Sequence, residues 1–456
     1  MGTKQICLTV MSMLLLAALP SALAADIQLS ADCSLAEAIM AANDDEAVGG
    51  CASGAGLDTI LLSANVLLDQ ELPVVKSELI INGQQLYFVS GDNRYRIFLV
   101  GPEGKLTLRN LVLARGKARA GGALCGAANR ADRLGGAVCN LGELVILDSQ
   151  FTRNAAEAGG AIYSQAGAVR ISSSSFTDNT ADGGGALYLS EGSLGMRDGT
   201  FADNVAVTNG GAIFSENASI DIRDSRFRGN QADDDGGALH LNGGEIDISG
   251  SVFADNLTTD DGGALRAKDS ALDISRSSFH GNQASDAGGA LHSSNGSSRI
   301  ANSTFYENDA ASGGALSIAD DDSLLKHVTI VYNTASKLGG GILVCCETDE
   351  DAGRLFLRHS IVAHNDGGDC SVNVSGALED SSYNLVGDGS CSGSPVDPQL
   401  GELTQPMSGG PAFFPPLPSS PAIDAGDFYL CSQTDQIGAA RPQGDSCDIG
   451  AIEYAE

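Results

Sequence analysis

Gly236-Gly-Ala-Leu-His-Leu-Asn-Gly-Gly-Glu-Ile-Asp-Ile-Ser-Gly-Ser-Val-Phe-Ala-Asp-Asn-Leu-Thr-Thr-Asp-Asp261 is one unit of the pattern that dominates this chain. Its apolar stretches (Ala238-Leu239, Ile246-Asp247-Ile248 and Val252-Phe253) are short and separated by Gly, Asp and Asn. None carries apolar residues at helical intervals over the length a helix needs. Outward from this unit, Gly-Gly-Ala plus an aliphatic residue recurs ten times between Gly121 and Ile342, in full or nearly so. From Gly159 the first glycines fall at Gly184, Gly210, Gly236, Gly262, Gly288, Gly313 and Gly339, in steps of 25 or 26. Between them runs Phe-x-x-Asn: Phe151/Asn154, Phe176/Asn179, Phe201/Asn204, Phe227/Asn230, Phe253/Asn256, Phe279/Asn282 and Phe305/Asn308. Three short strands in a unit of about 25 residues make one rung of a parallel β-helix, in which strands add along the axis.

The columns within the unit agree. Met196, Ile222, Ile248, Ile274 and Ile300 stand 26 apart, as an inward-facing aliphatic stack requires. The phenylalanines predict a second stack, each ring contributing about 2–3 kcal/mol gross before the cost of ordering the chain. The asparagines are expected at bends, each amide bonded to the next rung, because a buried amide without partners costs about 1–3 kcal/mol. The paired glycines permit positive φ or close backbone approach where the rung turns.

Residues 1–24 have the form of an export signal: Lys4, an apolar run from Val10 to Leu19, then Ala22-Leu23-Ala24 as a small-x-small cleavage site. That run is too short to remain as a membrane span, and no later segment is apolar enough for a transmembrane helix. Ile449 to Glu456 carries no sorting tail, so the expected product is exported, soluble and monomeric. Without Cys7 of the signal, ten of the eleven cysteines remain, an even number suited to an oxidising compartment. Local pairing predicts Cys33 with Cys51, Cys125 with Cys139, Cys370 with Cys391 and Cys431 with Cys447. Cys345 and Cys346 are left, as a vicinal disulfide or as partners of something else. No cysteine spacing is of the zinc type. Loss of Lys4 takes the formal charge from −32 to −33, which repels nucleic acid and anionic membrane surfaces and favours cations, calcium especially. Solubility of an elongated protein explains the charge equally well.

The two ends are not repeats. Cys33-Ser-Leu-Ala-Glu-Ala-Ile precedes Ala41-Ala42-Asn43; Ser34 with Glu37 forms a capping box, and Leu35, Ala38, Ile39 and Ala42 make one apolar face. A short amphipathic helix is therefore expected to plug the open N-terminal end of the solenoid. This end resembles the bacterial Cys-Ser-Leu-Arg-Glu-Ala domain, with Ala36 in place of the arginine. Ser420-Pro-Ala-Ile-Asp-Ala-Gly426, Asp435-Gln-Ile-Gly438, Arg441-Pro442 and Cys447-Asp-Ile-Gly-Ala-Ile-Glu453 resemble the choice-of-anchor Q domain. The middle resembles the Gly-Gly-Ala-Ile and Phe-x-x-Asn repeats of chlamydial polymorphic outer-membrane proteins, without their C-terminal membrane barrel. These resemblances imply an all-β, right-handed parallel β-helix of the pectin-lyase-like type on an exported bacterial protein, and they imply no activity. The expected organisation is a signal peptide (1–24), an N-terminal cap (25–57), β-helix repeats (58–365) and a disulfide-containing C-terminal module (366–456).

Function, if it follows the columns, sits on the outside. The residue after Gly-Gly-Ala-aliphatic points outward by strand alternation, and on successive rungs it reads Tyr163, Tyr188, Phe214, His240, Arg266, His292 and Ser317. Rungs about 4.8 Å apart make this a continuous stripe of aromatic and nitrogen-bearing side chains, expected to be exposed and suited to an extended polysaccharide or acidic polymer. An ordinary exposed strand with β-favouring aromatics has the same sequence. A few residues earlier stand Asp234, Asp260 and Asp286 in one register and Asp235 and Asp261 in the next. Exposed carboxylates ~5 Å apart repel by about 0.8 kcal/mol in water, so a bridging Ca²⁺ is one reading and solvated turns the other.

Asp260, Asp261, Arg266, His240 and His292 fall within three rungs, which leaves a polysaccharide lyase or glycoside hydrolase, with Ca²⁺ as its candidate cofactor in the manner the fold resemblance implies, as the alternative to a non-catalytic binder. Fold alone establishes no catalysis. Active sites usually interrupt repeats with long loops, and the only large irregularities are Cys125–Leu134 and Cys345–Gly353. Nucleophilic triads, phosphate-binding loops and dinucleotide motifs are absent, so no catalytic residue is assigned. Asn-x-Ser/Thr triplets at Asn217, Asn256, Asn295, Asn302 and Asn373 are what chance gives at this composition. The reading is an extracellular or cell-envelope β-helix that binds a glycan or a surface partner.

Overall fold

A computed structural model of the chain describes residues 25–126, 133–345, 353–373, 376–391, 395–407 and 409–454. The expected leader, Cys346 and most of the two irregular segments lie outside the described residues. The chain is a right-handed parallel β-solenoid of about 12 turns. Among the described residues its strands form ladders of 25, 11 and 7, in which successive rungs pair in parallel. In the central rung, Gln231–Ala232 lies in the seven-stranded ladder, Leu239–Asn242 in the eleven-stranded one, and Glu245–Ser249 and Val252–Ala254 in the longest. Leu239 pairs with Leu265, Ile246 with Leu272 and Phe253 with Phe279, so each residue meets its own counterpart one unit on.

Phe151, Phe176, Phe201, Phe227, Phe253, Phe279 and Phe305 are fully buried, with ring centroids 4.6–5.1 Å apart and interplanar angles of 1–13°. The isoleucine column is buried beside them. Each asparagine is also fully buried. Asn256 Nδ2 donates to Asn282 Oδ1 at 2.9 Å and to the Phe227 carbonyl at 3.1 Å, while the Asn256 backbone N–H donates to the same Asn282 oxygen at 3.1 Å. This unit repeats from Asn154 to Asn365, where the ladder ends on the Asp369 carboxylate. Gly236 turns the rung at φ +68°, and a Cβ on Gly237 would overlap the Gly263 carbonyl of the next rung. Both positions require glycine.

The N-terminal helix, Leu35–Asp44, buries Leu35, Ala38, Ile39, Ala41 and Ala42 under the expected Ser34/Glu37 capping box. The four expected disulfides form. No helix of the described residues is long and apolar enough to cross a membrane. The coil runs on past residue 365: Cys370–Val372, Ala377–Ser382 and Leu385–Val386 each extend a ladder. The remaining chain folds back along the outside of the solenoid. Its Ala412, Phe414, Ala422 and Ile449 cover Tyr306, Val331 and Ile361, and the Gly409 carbonyl accepts from the Arg226 guanidinium at 2.9 Å.

The end motif that carries the resemblance serves this docking. Arg441 is buried against Glu453 at 2.6 Å and donates to the Asp448 and Gly450 carbonyls. Two buried imidazoles receive the returning segment: His359 Nε2 accepts from Asp427 N–H at 2.8 Å and His327 Nε2 from Ser432 N–H at 3.4 Å, with the rings stacked at 4.8 Å. Burial first, then Lys326, pushes His359 down to about 4, against the weaker upward pull of Asp427. Burial first, then Arg441, pushes His327 down further. Asp448 is raised to about 6 by burial, so its pH dependence has the opposite sign.

Two outcomes are expected. Phe253→Ala opens a cavity in mid-stack and lowers stability by about 3–5 kcal/mol in urea unfolding. For His359, the unfolded imidazole binds a proton below about 6.5 that the folded one does not, so its contribution is present at neutral pH and lost as pH falls toward its folded value. The stability lead of wild type over His359→Gln therefore shrinks between pH 7 and 4.5, a difference that leaves out the titration of Asp448; a lead that is flat or grows contradicts the assignment.

Candidate functional site

The turn from the seven-stranded to the eleven-stranded ladder carries the aspartates, and the strand that follows carries the stripe. Asn209, Asp235 and Asp261 form a column in which each side-chain oxygen takes the backbone N–H one rung on: Asn209 Oδ1 from Asp235 at 3.1 Å, Asp235 Oδ1 from Asp261 at 3.3 Å, and Asp261 Oδ1 from Ala287 at 2.9 Å. The second carboxylate oxygens turn toward the stripe. Asp235 Oδ2 lies 3.7 Å from His240 Nδ1 and 4.0 Å from Arg266 Nε, and Asp261 Oδ2 lies 3.5 Å from His292 Nδ1. Asp234 and Asp286 stand exposed one residue earlier. One carboxylate oxygen from each of Asp234, Asp235 and Asp260 falls within a mutual 4.8 Å, and Asp260, Asp261 and Asp286 repeat the arrangement.

The stripe is continuous: Tyr163, Tyr188, Phe214, His240, Arg266, His292 and Ser317 pair in register. Its expected exposure is corrected by the structure. Tyr163 is 5%, His240 8%, Arg266 5% and His292 4% exposed, and Tyr188 and Phe214 are half-buried. The cause is the rung spacing. Rings 4.8–5.4 Å apart pack on one another from Tyr163 to His240, stacked in the Tyr163–Tyr188 and Phe214–His240 pairs and tilted by 35° between Tyr188 and Phe214, so the faces meant for a sugar are largely occupied by one another. Tyr163 is further covered by Cys125, Leu134 and Leu99 around the Cys125–Cys139 bridge. Arg266 lies along the strand, donating from Nη1 to Ser294 Oγ at 2.8 Å and to the Ala267 carbonyl at 3.1 Å. Its buried guanidinium is tied to the strand and is not presented to solvent.

Electrostatics follow from this packing. Burial, with Arg266 and Lys268 nearby, drives His240 down to about 3, so its imidazole is neutral. Burial is also the main cause that lifts Asp235 to about 6, with Asp261 and Asp260 adding to it and Arg266 opposing. Asp260 is raised in the same way. Burial and then Glu216 push the Tyr188 phenol up, and its O–H donates to Glu216 Oε2 at 2.9 Å. The sequence reading missed Glu216. Its signal was there, because 28 residues separate it from Tyr188, one period plus two, which is the same strand face one rung on.

Comparison with known proteins agrees with the architecture. The model of the right-handed β-helix region matches residues 211–382, and the Chlamydia polymorphic membrane protein repeat matches 173–190 and 198–216. No curated protein and no solved structure matches. The chain is a β-helix protein whose repeats resemble those of polymorphic membrane proteins.

Replacing Arg266 by Ala removes two buried hydrogen bonds and leaves a gap between the imidazoles of His240 and His292. A loss of about 2–3 kcal/mol is expected in urea unfolding; an unchanged midpoint would mean that the stack does not depend on it.

Proposed function

We propose that the solenoid is an exported, non-catalytic binding protein of the cell envelope or its surroundings, and that its recognition face is the carboxylate turns with the adjoining stripe. The polymorphic-membrane-protein type of the repeats supports the location, and the unbroken register of both columns supports an extended partner. With the ring faces stacked on one another, contact with a ligand falls to ring edges and to the aspartates. A row of carboxylates accepts hydrogen bonds from hydroxyls and repels anions, so the ligand class is a neutral, hydroxyl-rich glycan chain and not an acidic polymer. The single observation that carries this reading is the pair of aspartate columns, Asp234/Asp260/Asp286 and Asp235/Asp261, repeating at the rung spacing along the axis.

The alternative, a polysaccharide lyase or hydrolase, draws on Asp235, whose carboxyl near 6 is poised for proton transfer beside Arg266. Against it, Asp235 already serves as a rung-to-rung acceptor, and its repeat Asp261 does the same.

Affinity electrophoresis through neutral polysaccharides, with assay for new reducing ends and unsaturated products, separates the two readings. Retardation without products is expected, weakened at least about tenfold in Asp260→Ala/Asp286→Ala, which removes two charge-assisted acceptors of about 1.5–3 kcal/mol each. Product formation would establish the enzyme instead, and equal retardation of the variant would place recognition elsewhere.

A further inference from the structure

We propose that cleavage between Ala24 and Ala25 on export creates a structural ion pair, in which the new α-ammonium of Ala25 docks on the buried carboxylate of Asp58 and fastens the first strand to the second. This rests on export of the chain, as proposed above, and not on its ligand. Strand register sets the approach. Asp26 pairs with Thr59 and Ile27 with Ile60, and the Thr59 N–H donates to the Ala25 carbonyl at 2.8 Å, so Ala25 stands beside Asp58 on the neighbouring rung. Asp58 opens the strand Asp58–Leu61 at an inward position, two residues before the buried Ile60, and is itself fully buried. Its Oδ1 accepts from the Ala55 N–H at 2.7 Å, whereas its Oδ2 has no hydrogen-bond partner. A buried carboxylate oxygen left in that state is costly, and a buried charge without a counter-charge more so.

The surroundings of the orphaned oxygen favour a cation. A Cβ on Gly54 would lie 2.5 Å from Asp58 Oδ2 and 2.8 Å from the Ala41 carbonyl, so the carboxylate sits against the last turn of the helix Leu35–Asp44. That turn carries no basic residue, and its carbonyls are the negative end of the helix dipole. Burial raises the Asp58 carboxyl, the Ala55 N–H opposes it, Asp45 adds a second negative charge, and the Ala25 N–H pulls the other way. The Ala25 nitrogen therefore acts on this carboxyl already, as part of a peptide bond. The sequence places a cut at that nitrogen, since Ala22-Leu23-Ala24 is the small-x-small pattern that a leader peptidase reads. Hydrolysis consumes one water: its oxygen joins the Ala24 carbonyl to leave a carboxylate, and its two protons complete the Ala25 amine as an ammonium. One amide donor becomes three donors on a full positive charge. A cut one residue to either side would move the nitrogen by about 3.3 Å along the strand, beyond hydrogen-bond reach.

The test begins with the full chain exported from a bacterial host, whose product should have Ala25 as its first residue by N-terminal sequencing and intact mass. The mature chain with a free Ala25 is then compared with the same chain preceded by Gly-Ser. Amide exchange in the strands Asp26–Gln28 and Asp58–Leu61 should be slower by about tenfold or more with the free terminus. In Asp58→Asn the two forms should fall within about twofold of each other. Pairing with Asp58, with Asp45 behind it, favours the charged amine, so the free-base fraction falls. The α-amine of wild type should therefore react with an N-hydroxysuccinimide ester several-fold more slowly near neutral pH than that of Asp58→Asn or of the extended chain. The proposal is overturned if the exported protein begins at another residue, if the extension leaves exchange and acylation unchanged, or if the difference persists in Asp58→Asn. The free and extended wild-type forms decide even if Asp58→Asn fails to fold. Sequencing reads the processing step, exchange reads the ion pair, and neither responds to the presence of a glycan, so a failure here is distinct from a failure of the binding reading.

Discussion

The side-chain amide of each rung asparagine is tied into its neighbours at both ends, and every other column depends on that register. The oxygen of Asn282 takes two donors from Asn256, while the NH₂ of Asn282 serves the Phe253 carbonyl and the next oxygen, on Asn308. A buried amide so placed leaves neither an orphan donor nor an orphan acceptor. A slip of one residue would break these bonds along the ladder and turn the phenylalanine and isoleucine columns outward. The near-constant 25- or 26-residue spacing is the sequence record of this constraint. Hydrophobic burial supplies most of the driving force, and the amide ladder selects one pairing among those that burial alone would accept.

The same stacking rule governs the outside of the coil. Side chains at equivalent positions lie one rung apart, near van der Waals contact for flat groups. Tyr163, Tyr188, Phe214 and His240 therefore pack ring on ring, and Arg266 follows them in register with its guanidinium bonded to the Ala267 carbonyl and Ser294. The outer stripe behaves as a second, thinner core. Where the stacked groups are aspartates, contact brings like charges together instead. That contrast within one register singles out the acidic turns as the chemically unsatisfied part of the face.

At the C-terminal end the chain meets a different demand. The last turns of a solenoid expose an unpaired edge and an apolar outer flank, and residues 409–454 fold back over that flank. The end motif is read most simply as the means of holding this segment: Arg441 is clamped by Glu453 and by backbone carbonyls, and two neutral imidazoles accept its backbone N–H groups. Asp435, Arg441, Asp448 and Glu453 of the motif are buried in this packing.

Repetition made most of the fold legible. Period, inward columns, capping box and disulfide pairs each rest on local spacing, and a parallel coil turns local spacing directly into neighbourhood, so Phe253 meets Phe279 because they stand one unit apart. The candidate site was half legible for the same reason. Spacing aligned Asp234 with Asp260 and Asp286, and Asp235 with Asp261, and ordered the stripe from Tyr163 to His292, but the grouping of Asp234 and Asp235 with Asp260 came from the structure, and spacing carried no information on exposure. Burial of Arg266 follows from how its side chain lies relative to Ser294, and that of Tyr163 from Cys125, Leu134 and Cys139 packing against it. The return of the C-terminal segment onto Tyr306 and His359 joins residues with no common period. What the sequence by itself determined is which residues share a column, since that needs only the repeat length. Which columns face water, which are covered and by what, only the tertiary structure decided, because those outcomes depend on side-chain direction and on contacts between segments that the repeat does not relate.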